Sequence, residues 1–135
     1  MRTLTLAFVT LLIVSGCAPS RESRLAEIVP YRTYKAERDD MKTALRVFCE
    51  REGFVVHLSE DTFGKMLASR VDMTSRDEAA RTIIMSIILS PGGAGLTKVD
   101  ARISFADFQG TPTRTDEEML VDYYHRLFDF LEGYF

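Results

Sequence analysis

The sequence is poor in the residues that most often carry chemistry. Its 135 residues include two histidines and two cysteines. His57 and His125 stand far apart, and neither shows the ligand spacing that a metal ion needs, so no metal site is expected. There is no basic excess: 17 lysines and arginines face 20 aspartates and glutamates, for a net charge of −3. The two signs are interspersed, as on a solvated surface, which excludes the basic footprint of a nucleic-acid binder. The apolar run at residues 4–14 is about half the ~20 residues that a membrane-spanning helix requires. The glycines at positions 92, 93 and 95 do not make a phosphate loop. Lys98 lies three residues beyond the last of them and a strand pattern follows, whereas that loop ends in Gly-Lys-Ser/Thr at a helix start. A connector from helix to strand is the expectation there. What is present is an ordinary globular balance, 46% hydrophobic and 27% charged.

The N-terminus is the most specific stretch. Arg2 gives a positive start, and the apolar run that follows has the length of a secretory signal core. It ends in Val14-Ser15-Gly16-Cys17, an aliphatic residue, two small residues and a cysteine. This resembles the lipobox of bacterial lipoproteins. The resemblance implies removal of residues 1–16 as a signal peptide. It also implies a covalent diacylglycerol and usually an amide-linked acyl chain, such as palmitate, on Cys17. One acyl chain binds a membrane only marginally, and two or three make release negligible. Ala18, where retained lipoproteins commonly carry aspartate, favours the outer membrane by the same resemblance. The alternative is an ordinary secretory signal with a chance cysteine. With Cys17 acylated, Cys49 is the remaining thiol and no internal disulfide can form. Cys49 falls on the apolar face of an expected helix, where a buried, inert thiol is the expectation.

Beyond the lipobox the pattern reads as one α+β domain behind a short linker. Residues 17–27 are polar and read as a flexible tether. Residues 28–34 suit an edge strand with Pro30 in it. Met41, Ala44, Leu45, Phe48 and Cys49 recur at helical spacing, with Asp39 or Asp40 as cap and Gly53 as stop. Phe54, Val56 and Leu58 alternate as the inward side of a strand. Leu67, Val71 and Met73 share a parity, as in a second strand. Ser75 to Glu78 match a capping box, and Ala80, Ile83, Ile84, Ile87 and Ile88 fit the stripe of a helix ending at Pro91. Val99, Ala101, Ile103 and Phe105 alternate cleanly with Lys98, Asp100, Arg102 and Ser104. A second capping box at Thr115 to Glu118 opens a last helix. Its stripe is Leu120, Tyr123, Tyr124, Leu127, Phe128 and Leu131, widened by Met119, Val121, Phe130, Tyr134 and Phe135. The expected fold is α+β: a sheet of three to five strands with two helices in the order β-α-β-β-α-β, plus a C-terminal amphipathic helix. The expected divisions are a signal peptide at 1–16, a lipidated tether at 17–27, the α+β domain at 28–108 and the C-terminal helix at 109–135.

The middle of the chain resembles the short N-terminal domain of secretins and TonB-dependent receptors (STN). The resemblance rests on Met41-Lys42-Thr43-Ala44-Leu45, Gly53-Phe54-Val55-Val56, Gly64-Lys65, Met73-Thr74-Ser75-Arg76-Asp77-Glu78-Ala79-Ala80 and Gly95-Leu96-Thr97. It implies a non-catalytic docking module of an envelope assembly. Small outer-membrane lipoproteins of type IV secretion systems combine a lipobox, a tether and one such domain, which is this chain's layout.

The residues themselves also point away from catalysis. His57 is expected on the outward side of its strand and His125 on the polar face of the last helix, and neither has a nucleophile or paired acid beside it. Ser59 and Glu60 follow His57, but neighbours in a strand point to opposite faces. No enzyme activity and no cofactor beyond the lipid on Cys17 are expected. The expected partners are the outer membrane and a protein of an envelope or secretion complex, with a second copy of the chain as an open alternative. The broad apolar arc of the last helix has two readings. It can simply cover the domain's own sheet, or Tyr123, Tyr124, Leu127, Phe128, Phe130, Tyr134 and Phe135 can in part hold a partner. A lipoprotein binding a small ligand or the cell wall between sheet and last helix is the alternative function.

Overall fold

The computed structural model describes residues 24–60, 64–72, 81–106 and 113–135. Residues 1–16, Cys17, Met73, the expected box at 75–78, Ala80 and Phe108 lie outside the described residues. A short 3-10 turn, Arg24–Glu27, leads into β1 (Tyr31–Tyr34) and α1 (Arg38–Glu52). Then come β2 (Val55–Glu60), β3 (Lys65–Asp72), β4 (Arg81–Gly93), β5 (Leu96–Phe105) and α2 (Arg114–Tyr134). The five strands form one antiparallel sheet in the order β1-β5-β4-β3-β2. One core joins α1, α2 and a single side of the sheet, so the molecule has two layers, helices over strands. The α+β class, the five-stranded sheet and the C-terminal helix match the sequence pattern.

The order of elements differs at one place. Residues 83–88, expected as a helix, lie in β4. Ile83, Met85, Ile87 and Leu89 are buried at strict two-residue spacing. Nearly every position in this run is apolar, so Ile83, Ile84, Ile87 and Ile88 also satisfy helical spacing. Periodicity cannot choose in such a run, and the β-branched isoleucines favour the extended form. The connector after β4 is therefore a strand-to-strand turn. Gly93 (φ 130°) and Gly95 (φ 68°) supply the left-handed backbone that it needs.

Two smaller corrections concern parity and caps. In β3 the buried residues are Met66 and Ala68, while Leu67 is half-buried on the other side and Val71 is exposed. Both parities of this strand are weakly apolar, and pairing with β4 sets which one turns inward. Arg70 shares the inward parity, and its guanidinium finds a partner there by donating to the Glu52 carbonyl at 2.7 Å. Helix α1 begins at Arg38, so Asp39 and Asp40 stand inside its first turn, beside the partial positive charge there. Gly53 ends it as expected, at φ 77°. Helix α2 is capped by Thr113, not Thr115: the Thr113 hydroxyl accepts from the Asp116 amide and the Asp116 carboxylate accepts from the Thr113 amide.

Strand β1 covers only part of the outer edge of β5, from Thr97 to Asp100, and Ala101 donates to the Pro30 carbonyl. The next outward amide, Ile103 N–H, donates to the Tyr124 hydroxyl of α2 at 2.9 Å, which closes an otherwise open sheet edge. Tyr124→Phe leaves that buried amide without its partner. A loss of about 1–3 kcal/mol is expected in urea unfolding, and an unchanged midpoint would refute the edge-closing role.

Candidate docking surface at the end of the last helix

Six residues of α2 form its buried stripe: Leu120, Tyr123, Tyr124, Leu127, Phe128 and Leu131. Tyr123, Tyr124, Leu127 and Phe128 thus belong to the domain's own core, in one cluster with the inward residues of the sheet. The broad arc expected for this helix is used mainly for self-packing.

Arginines fasten the helix along its length. Arg81 of β4 pairs with Asp116 and lies 5.2 Å from the Phe105 ring centre. Arg70 of β3 and Arg126 lie 5.7 and 5.6 Å from the centre of the Tyr123 ring, and both reach Glu52 of α1. The Tyr123 hydroxyl donates to Asp72 at 3.1 Å. Arg32 of β1 pairs with Glu132 and sits 4.6 Å over the Phe128 ring. Each guanidinium thus combines a carboxylate with an aromatic ring, a use that suits its planar, delocalised charge. Sequence reasoning singled out none of Arg32, Arg70 and Arg81. The available signal was a cation on the inward parity of a strand, which must find a partner once the helix covers it.

Past Leu131 the aromatic residues reach the surface. Phe130 is half-buried, and Tyr134 and Phe135 are 45% and 46% exposed. Their rings form a chain. Phe130 lies 5.5 Å from Phe48 and 5.6 Å from Tyr134, Tyr134 lies 5.1 Å from Phe135, and Phe135 lies 6.4 Å from Tyr34. Both ends of this chain, Phe48 and Tyr34, are therefore seated in the core, and its middle, Tyr134 and Phe135, is open to solvent. Of the seven residues expected to hold a partner, Phe130, Tyr134 and Phe135 are brought together at the surface and the other four are buried.

The remaining candidates are quiet. Cys49 is a free, buried thiol on α1, and burial pushes it up to about 11. His57 is exposed and hydrogen-bonded to the Ser69 hydroxyl across β2 and β3, and His125 is exposed on α2. Among the described residues no cluster of three or more histidines, cysteines and carboxylates is placed to hold a metal ion. A concavity of about 450 Å³ runs along α1 between Arg38, Lys42 and Arg46, and one of about 240 Å³ lies between the start of α1 and the β4–β5 turn. Neither lies between the sheet and α2.

No protein-family model matches the chain, and no curated protein matches it in sequence. Its fold does occur among solved structures. A chain in the crystal structure of the adenylate sensor from AMP-activated protein kinase, solved in complex with ZMP, is similar with a TM-score of 0.55 at 9% identity. The match covers 74% of this chain and 93% of that one. At such identity the likeness shows the fold alone.

Burial also raises the hydroxyls of Tyr34 and Tyr123 to about 12. These groups are neutral when protonated, and their folded values lie above the ordinary tyrosine value near 10. Their contribution to stability is therefore complete below about pH 10 and is lost as pH rises through about 12. Phenolate absorbance and circular dichroism, followed together, should show late ionisation coincident with alkaline unfolding. Ionisation of all five tyrosines near pH 10 with the fold intact would contradict this.

Proposed function

We propose that this chain is a lipid-anchored, non-catalytic docking domain of a bacterial envelope assembly, with secretion machinery the leading case. The lipid is carried by Cys17 and the outer membrane is its destination. The partner is an envelope protein that seats on the aromatic end of α2. The observation that carries the reading is the open ring chain of Phe130, Tyr134 and Phe135, backed by Phe48 and Tyr34. Half-exposed aromatics anchored in a rigid core are the kind of residue that dominates protein interfaces.

The path of the chain supports this reading. The Arg24–Glu27 turn packs beside α2, and Arg24 lies 3.9 Å from Glu118. The last four residues of the expected tether thus belong to the folded unit. From Glu118 to Tyr134 the helix rises about 24 Å at 1.5 Å per residue. A chain that is anchored through residues before Arg24 therefore carries its aromatic end at the far tip of α2, away from the point of attachment.

Two experiments test the reading separately. Cys17→Ser should abolish acyl labelling and leave the signal peptide attached, and a normally acylated variant would refute the anchor. For the docking surface, a photoreactive side chain at position 135 should crosslink in cells to a defined envelope protein. The double change Tyr134→Ala and Phe135→Ala should reduce that protein's recovery after detergent extraction at least about tenfold, an interface loss of more than 1.4 kcal/mol. Equal recovery from the double variant, or equal crosslinking from position 122 near the attached end, would rule out the aromatic tip.

A further inference from the structure

The helices cover one side of the sheet. On the other side, among the described residues, nothing covers the strands. That face is read directly from the pairing. Ile88 of β4 is opposite Lys65 of β3 on one side and Asp100 of β5 on the other. The row below it is Leu67, Ser86 and Arg102, and the row below that is Ser69, Ile84 and Ser104. Val55 and Val71 continue the face toward β2 and the end of β3, and both are exposed, as is Ile88. The centre of the face is thus a column of Ile84, Ser86 and Ile88, small or aliphatic, with charges to either side.

We propose that this face is the seam of a face-to-face homodimer, with a two-fold axis running along β4. Such a rotation keeps the level of each row and exchanges left for right. The central column then meets its own copy, Ile88 on Ile88 and Ile84 on Ile84. The β3 side of one protomer faces the β5 side of its partner. Lys65 stands opposite Asp100 of the other copy, and the symmetry repeats the contact, so two reciprocal ion pairs flank the apolar centre. Leu67 faces Arg102, whose aliphatic stem can lie on it, and Ser69 faces Ser104. This is the self-complementarity that an isologous interface requires. A rotation axis crossing the strands instead would set β5 against β5 and β3 against β3: through the Ile88 row it brings Lys65 onto Lys65 and Asp100 onto Asp100, and between the Ile88 and Ser86 rows it pairs Asp100 with Arg102 but lays Ile88 on Ser86 and Lys65 on Leu67. The charges and the Ile84–Ile88 column together favour the axis along β4.

Dimensions fit the same arrangement. Stacked sheets lie about 10 Å apart, a gap that an extended lysine and a carboxylate span together. Packed sheets cross at about 30°, and at one strand spacing from the axis, about 4.8 Å, this shifts facing rows by only about 2.4 Å. Five strands about 4.8 Å apart, from 4 to 13 residues long and about eight on average at about 3.3 Å each, present about 600 Å² in plan. Side-chain relief brings the accessible area toward the ~800 Å² per partner of a stable interface. An apolar centre with a charged rim has the composition of such a seam.

The inference is independent of the lipid and of the aromatic end of α2. Its test is sedimentation equilibrium of the full chain in density-matched detergent. The wild type should be dimeric. Lys65→Asp or Asp100→Lys places like charges opposite each other twice per dimer and should raise the Kd at least about 30-fold. The double variant Lys65→Asp/Asp100→Lys restores both pairs in reversed sense and should return the Kd to within about threefold of wild type. Ile88→Glu, at an exposed central position, should give a monomer with an unchanged circular dichroism spectrum. A photoreactive side chain at position 86 should yield a product of twice the chain mass. A monomeric wild type, single reversals without effect, or a double variant that stays dissociated would overturn the proposal. So would a product at position 86 that joins residues 1–23 of the same chain or a different protein.

Discussion

The seam between α2 and the sheet holds the rest of this domain in place. Leu120, Tyr123, Tyr124, Leu127, Phe128 and Leu131 fill it, and carboxylate-paired arginines from β1, β3 and β4 close its margins. Without that cover, Met85, Ile87, Val99 and Ala101 would face water on a sheet of five strands. Helix α1 alone is too narrow to cover them, because one helix about 10 Å across protects at most about two strands at 4.8 Å spacing. The short edge strand β1 also depends on the seam, since Arg32 reaches α2 through both Phe128 and Glu132.

Much of this was legible in the sequence. Residues 96–105 alternate so cleanly that only a strand fits, and the stripe of α2 was readable because polar residues punctuate it at helical spacing. The places that were not legible share a cause. In residues 83–89 almost every side chain is apolar, so no contrast marks one face. In β3 both parities carry one or two apolar residues, and the neighbouring strand decides between them. Arg32, Arg70 and Arg81 looked like surface charges because their partners lie 35 to 100 residues away, or on the facing helix in the case of Arg70. A cation that packs under a helix carries no local signature. The aromatic tip was legible in composition, but its division into core and surface was not, since Tyr123 and Tyr134 look alike until the helix is docked.

The two outer surfaces of the domain differ in kind. The tip of α2 is small, aromatic and continuous with the core, so a partner seated there would meet preformed, rigid groups. The open sheet face is broad, with its charges arranged about a central aliphatic column. A tip suits recognition of a groove on a larger protein, and a broad face suits pairing with an equally flat surface. Cys49, on the buried face of α1, takes part in neither.

The Arg24–Glu27 turn gives the seam a mechanical meaning. Any pull on the chain from residues before Arg24 enters the domain beside the first turns of α2, where Arg24 meets Glu118. A load directed along the helix axis is resisted by the whole length of the seam. It is shared at once by Arg81 on Asp116, by Arg70 and Arg126 around Tyr123, and by Arg32 on Glu132. Contacts spread along the direction of pull yield together, in shear, whereas a sheet edge pulled sideways opens one rung at a time. For the proposed anchor on the chain before Arg24, the point of attachment is one end of that seam.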